Sequence, residues 1–110
     1  MPKCKITVLK KLFLEDVARE FRNPNAWFGP CPFFEEGQTY ICKDVSDRPP
    51  EFPCDWAWND IQKVVLGIVT DADYGRWMKN PKSWVACCTD GAKPVIFRLE
   101  ALDETGEVTR

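Results

Sequence analysis

Two adjacent cysteines stand just before an Asp-Gly turn signal in Ala86-Cys87-Cys88-Thr89-Asp90-Gly91. Two more occupy equally pointed settings, Gly29-Pro30-Cys31-Pro32 and Pro53-Cys54-Asp55-Trp56. The chain holds six cysteines and no histidine in 110 residues. Its chemistry is therefore that of thiols and carboxylates. Soft thiolates favour zinc, copper(I) or iron–sulfur groups, which makes Cys31, Cys54, Cys87 and Cys88 the candidate set for a thiophilic metal. The spacing argues the other way, because no C-x₂₋₄-C pair is present. A mixed site would have to draw on Asp55 or Asp90.

The four thiols differ in what their settings imply. Cys54 directly precedes the expected N-cap of the main helix, where unpaired N–H groups and the helix dipole favour thiolate over thiol. Asp55 beside it opposes that effect, and a small packing residue beneath Trp58 is the alternative. Cys31 lies between two prolines that fix its backbone, which suits a ligand, a nucleophile or a core plug. Cys87 and Cys88 would point to opposite faces of a regular strand. Their Cα atoms would stand ~3.8 Å apart, too close for an unstrained disulfide. Both could aim at one centre only if the strand ends or bulges there. Cys4 and Cys42 sit at core positions of strands and read as structural.

Other chemistry lacks its residues. Without histidine there is no Ser-His-Asp or Cys-His set. There is no P-loop, no G-x-G-x-x-G run and no EF-hand pattern. Acid–base work would fall to Asp55, Asp60, Asp90, Glu35, Glu36 or a thiol, with Cys54, Asp55 and Asp90 the candidate catalytic set, in a pocket lined by Trp27, Phe33, Trp56, Trp58 and Trp84. Asp60 reads as an exposed acid near the helix start, and Arg98 as a solvent-facing side chain that could pair with a carboxylate.

Six elements must position these groups. Alternation over residues 3–12 predicts a strand with Cys4, Ile6 and Val8 on one face. Leu14, Val17, Ala18 and Phe21 give a short helix over 15–22, closed by Asn23-Pro24-Asn25. Residues 23–37 form an apolar loop expected to fold back over the core. A second strand covers 38–43, and the proline-rich stretch 44–53 is irregular. Asp55 is the expected N-cap of the main helix, 56–70, with Trp58, Ile61, Val65, Ile68 and Val69 in one stripe. The connection 71–83 is expected to be mobile or flap-like. Strands over 84–89 and 94–102 make an antiparallel hairpin around Asp90-Gly91. Residues 103–110 read as a frayed polar tail. The order β-α-β-α-β-β predicts one α+β domain, a mostly antiparallel sheet of about four strands with two helices.

Composition bounds the partners. Hydrophobic residues make up 45% and charged residues 29%, a globular balance. A net charge of −2 argues against nucleic acid or an anionic membrane bound by bulk charge. No run approaches the ~18 apolar residues of a membrane span. The N-terminus shows no secretory h-region, so a cytoplasmic chain with reduced thiols is expected. A homo-oligomer through an edge strand is compatible with the pattern but not demanded by it.

Taken together, Gly29-Pro30-Cys31-Pro32, Cys54 to Asp60 with Trp56-Ala57-Trp58, and Cys87-Cys88-Thr89-Asp90-Gly91 through Pro94-Val95-Ile96-Phe97 resemble an uncharacterised family of small bacterial and archaeal proteins. Lys5-Ile6-Thr7-Val8 fits too. The resemblance implies a single-domain cytosolic protein, marks Cys31, Cys54, Cys87 and Cys88 as its motif thiols, and carries no activity with it. Three readings follow. The first is a thiol-centred metal-binding or redox site near the main helix. The second is an enzyme acting on a small molecule through a Cys/Asp pair. The third is a protein-interaction module with an aromatic surface.

Overall fold

The computed structural model describes residues 1–110. Its elements are β1 (Lys3–Lys11), α1 (Glu15–Phe21), β2 (Thr39–Cys42), α2 (Asp55–Val69), β3 (Ser83–Cys87) and β4 (Val95–Leu102). The four strands form one antiparallel sheet in the order β2-β1-β4-β3. The expected α+β architecture and its β-α-β-α-β-β order are those observed.

Strand alternation sets the two faces of the sheet. Cys4, Ile6 and Val8 of β1 and Val95, Phe97, Leu99 and Ala101 of β4 are buried on the inner face. Helix α2 covers that face with Ala57, Trp58, Ile61, Val64, Val65, Ile68 and Val69. Seven buried positions in 15 residues is more than a narrow stripe, so α2 is the main core helix. Beyond its footprint the loops complete the core. Phe34 and Phe52 pack edge-on against each other, with centroids 5.4 Å apart, and both reach Phe97.

Four expectations needed correction. Asp55 is the first residue of α2, not its N-cap; Cys54 caps the helix, its Sγ accepting the Ala57 N–H at 3.5 Å. The Asp55 carboxylate instead reaches back to Arg48. In α1 only Ala18 is buried, whereas Leu14 and Phe21 are exposed, because the helix is too short to lay a full stripe on the core. Its position comes from backbone contacts, with Leu12 and Leu14 N–H donating to Pro94 and Ala92 carbonyls. The chain end is not frayed. Val108 bridges to Leu102, and Thr109 N–H donates to the Ala101 carbonyl. The connection after α2 is also tied down: Tyr74 N–H donates to Pro81 O at 2.7 Å, and the Tyr74 ring packs on Trp84.

Candidate functional site

Strand β3 ends at Cys87, and this decides the fate of the cysteine pair. Ala86 packs on the core, so Cys87 points to the outer face and is exposed. Cys88 lies past the strand end and turns inward, buried. It is clasped to the start of β4: its N–H donates to the Val95 carbonyl at 3.1 Å, and its Sγ accepts the Val95 N–H at 3.3 Å.

The loop that follows is stitched to α2. The Asp60 carboxylate accepts the Thr89 N–H at 2.7 Å, and the Thr89 hydroxyl accepts the Trp56 indole N–H at 2.8 Å. Asp60 is thus an anchor rather than a free exposed acid. These bonds hold Cys88 beside the N-terminal turn of α2, where Cys54 sits. Cys31 arrives from the apolar loop. Its carbonyl accepts the Lys11 ammonium at 3.1 Å, which fixes the loop to the end of β1.

Cys31, Cys54 and Cys88 consequently line one cavity of about 240 Å³. Phe34, Ala57 and Val95 supply apolar wall, Phe33 and Trp56 flank it with rings more than half exposed, and Asp90 and Lys93 add its polar side. Three of the four motif thiols share a site, then, and Cys87 does not belong to it. All six cysteines are free thiols.

Only two of the five expected aromatic residues line the cavity. Phe33 and Trp56 line the cavity, but Trp58 is buried against Phe52, and Trp84 packs with Tyr74 and Trp77. Trp27 turns back on its own loop, its indole N–H donating to the Pro30 carbonyl at 2.7 Å. Lys93 was the residue missed. The i,i+3 spacing from Asp90 across a tight turn was its only signal.

Asp90 is a structural anion. Burial works against its charge, but hydrogen bonds from Lys93 and Arg22 and from the Ala92 and Lys93 amides outweigh it. The carboxyl is held well below the usual carboxylate range, so it stays ionised near neutrality and has no proton to donate. Asp90→Asn should cost about 1.5–3 kcal/mol at neutral pH, the scale of a lost charged hydrogen-bond network. The sign follows from linkage: a carboxylate depressed in the folded state stabilises above its unfolded pKa, and that gain is lost as pH falls through the folded value. Urea unfolding at neutral and strongly acid pH checks both points, since the penalty of the variant should shrink in acid.

No family model, curated protein or solved structure matches this chain. The thiols differ in character. Burial pushes the Cys88 thiol up, tempered by the Asp90 and Val95 amides. Cys54 is only half-buried, and its sulfur already serves as a hydrogen-bond acceptor at a helix N-terminus. No three Cys, Asp or Glu side chains stand close enough together to hold a metal ion. Both Asp90 oxygens are engaged by Lys93, Arg22 and amides, so a zinc-type site would require the three sulfurs to draw together. No helix is long and apolar enough to cross a membrane.

Proposed function

We propose that this domain is a thiol–disulfide redox protein whose reactive centre is the cavity shared by Cys54, Cys31 and Cys88. The observation that carries the reading is the meeting of three cysteines, from three separate segments, on one small and mostly apolar cavity. Cys54 is the attacking thiol. It is the most accessible of the three, and its sulfur accepts the Ala57 N–H at the start of α2. Phe33 and Trp56 at the cavity flanks suit a substrate whose disulfide sits beside apolar groups.

The Cys54 thiolate attacks one sulfur of the substrate disulfide. The other substrate sulfur leaves as a thiolate and takes up a proton. A second cavity thiol, Cys31 or Cys88, then loses its proton and attacks Cys54 Sγ, and the remaining substrate half leaves as a thiol. Two electrons pass from the protein dithiol to the substrate disulfide. This ranks above zinc binding, because it needs only pairs of thiols in turn rather than a three-donor cage. It ranks above a Cys/Asp acid–base enzyme, because Asp90 is locked as an anion and Asp55 faces Arg48.

The test is reaction with a small aromatic disulfide under anaerobic conditions, with free thiols counted afterwards. The wild type should lose two cavity thiols and release two equivalents of aromatic thiol from them, beside the one equivalent that a mixed disulfide at the exposed Cys87 would release. Cys54→Ser should release none through the cavity and should remain folded, since serine is itself a good N-cap. Equal loss in Cys54→Ser, or loss confined to Cys87, would refute the assignment.

A further inference from the structure

The outer face of the sheet, away from α2, carries a second cavity that the thiol chemistry does not use. On β4 the alternation that buries Phe97 and Leu99 inward turns Arg98 and Glu100 outward. Ser83 of β3 stands opposite Glu100, and Lys5 of β1 stands opposite it on the other side. An open pocket of about 430 Å³ is built here from Arg98, Glu100, Ser83, Trp77, Lys79 and Arg110, among others. Its walls are fixed rather than loose. The Asn80 side-chain amide donates to the Thr109 carbonyl at 3.0 Å, and Ser83 Oγ donates to the Asn80 carbonyl at 2.8 Å.

Glu100 is the anomaly. It is only 6% exposed, yet its Oε1 has no hydrogen-bond partner. Arg98 Nε lies 3.1 Å away, but the two are not aligned for a hydrogen bond, and Nε is also unpartnered. A buried carboxylate oxygen held by one misaligned ion pair and no hydrogen bond is costly, and a further donor to the carboxylate would lower that cost. The pocket itself is lined by three cations, Arg98, Arg110 and Lys79, of which only Arg98 has a carboxylate neighbour. Guanidinium groups are matched to oxoanions, which they can hold through two parallel N–H bonds. Three cations also suit a dianion better than a single carboxylate.

We propose that this pocket binds a small phosphate monoester carrying an amine or hydroxyl close to the phosphate. The phosphate engages Arg98, Arg110 and Lys79, and the neighbouring donor engages Glu100. The site is independent of the thiol cavity, so it stands or falls separately from the redox reading.

Calorimetric titration of the full chain at low ionic strength tests it, with inorganic phosphate, phosphoethanolamine and ethanolamine as probes. Phosphoethanolamine should bind about tenfold more tightly than inorganic phosphate, the scale of one added charge-assisted hydrogen bond. Ethanolamine alone should not bind, and added salt should weaken both anions. Arg98→Gln should abolish binding of both. Glu100→Gln should erase the preference for phosphoethanolamine, so that it and inorganic phosphate bind alike. Lys79→Ala and Arg110→Gln alter exposed side chains, so the fold is expected to survive and binding to fall severalfold even if a β4 variant is unstable. No saturable binding of phosphoethanolamine, or binding indifferent to Arg98, Lys79 and Arg110, overturns the proposal. Retained preference in a folded Glu100→Gln protein overturns the role of Glu100.

Discussion

Phe52→Ala should destabilise the domain by about 3–5 kcal/mol, the range for truncating a large aromatic ring in a packed core. Phe52 is 2% exposed and lies among four other rings. Its centroid is 5.0 Å from Tyr40, 5.4 Å from Phe34, 5.7 Å from Trp58 and 6.0 Å from Phe97. Those partners come from β2, the apolar loop, α2 and β4, so one side chain joins four parts of the core. It also lies two residues before Cys54, which places the N-terminus of α2 under its control. Small domains hold only ~5–15 kcal/mol in total, so this loss would consume much of it. Urea unfolding should show a large drop in midpoint with little change in slope. A penalty under about 1 kcal/mol, typical of a surface change, would mean the ring cluster does not hold the loop.

Raising the pH should produce the other large effect. Cys42 is fully buried, and burial, then Asp47 and Glu51, push its thiol from 9.0 up to about 12. Burial, followed by the Cys42 thiol that faces it across β1 and β2, pushes Cys4 higher still. Burial raises Cys88 and Tyr40 as well. In the unfolded chain the thiols ionise near their ordinary value. Each raised group therefore contributes stability that is intact below about pH 9 and is lost as pH climbs through the folded value. Thermal unfolding midpoints should hold steady up to that point and then fall steeply. A Cys4→Ala, Cys42→Ala protein should start from a lower stability and show a shallower alkaline decline. An equally steep decline in that variant would show that other groups carry it.

Much of the fold could be read because its signals are local. Alternation in β1 named Cys4, Ile6 and Val8 as core, and all three are buried. The apolar positions of α2 were dense enough to mark it as the buried helix. Helix α1 misled because four apolar residues at helical spacing need a partner surface, and seven residues do not reach one. The N-cap was misplaced by one residue because aspartate is the stronger capping type. The observed cap uses a cysteine sulfur, a choice propensity does not anticipate. At the site, proline, helix-start and turn settings single out Cys31, Cys54, Cys87 and Cys88 one by one, but no local signal says which of them share a cavity. The exclusion of Cys87 depends on where β3 ends. The Trp58 and Trp84 assignments failed for a similar reason: an aromatic residue near a motif looks like lining until tertiary packing claims it for the core. The network of Asp60, Thr89 and Trp56 that seats the loop joins residues about thirty positions apart, and no local pattern announces it.

In the proposed redox reaction Cys54, Cys31 and Cys88 exchange electrons with one another inside a single cavity. Peptide mapping by mass after one equivalent of a small aromatic disulfide tests it most directly, with the protein kept monomeric and dilute. An intramolecular disulfide joining Cys54 to Cys31 or Cys88 is expected, with Cys4 and Cys42 untouched. Cross-links formed only between chains through Cys87, or a Cys54 that stays reduced while other thiols oxidise, would contradict it.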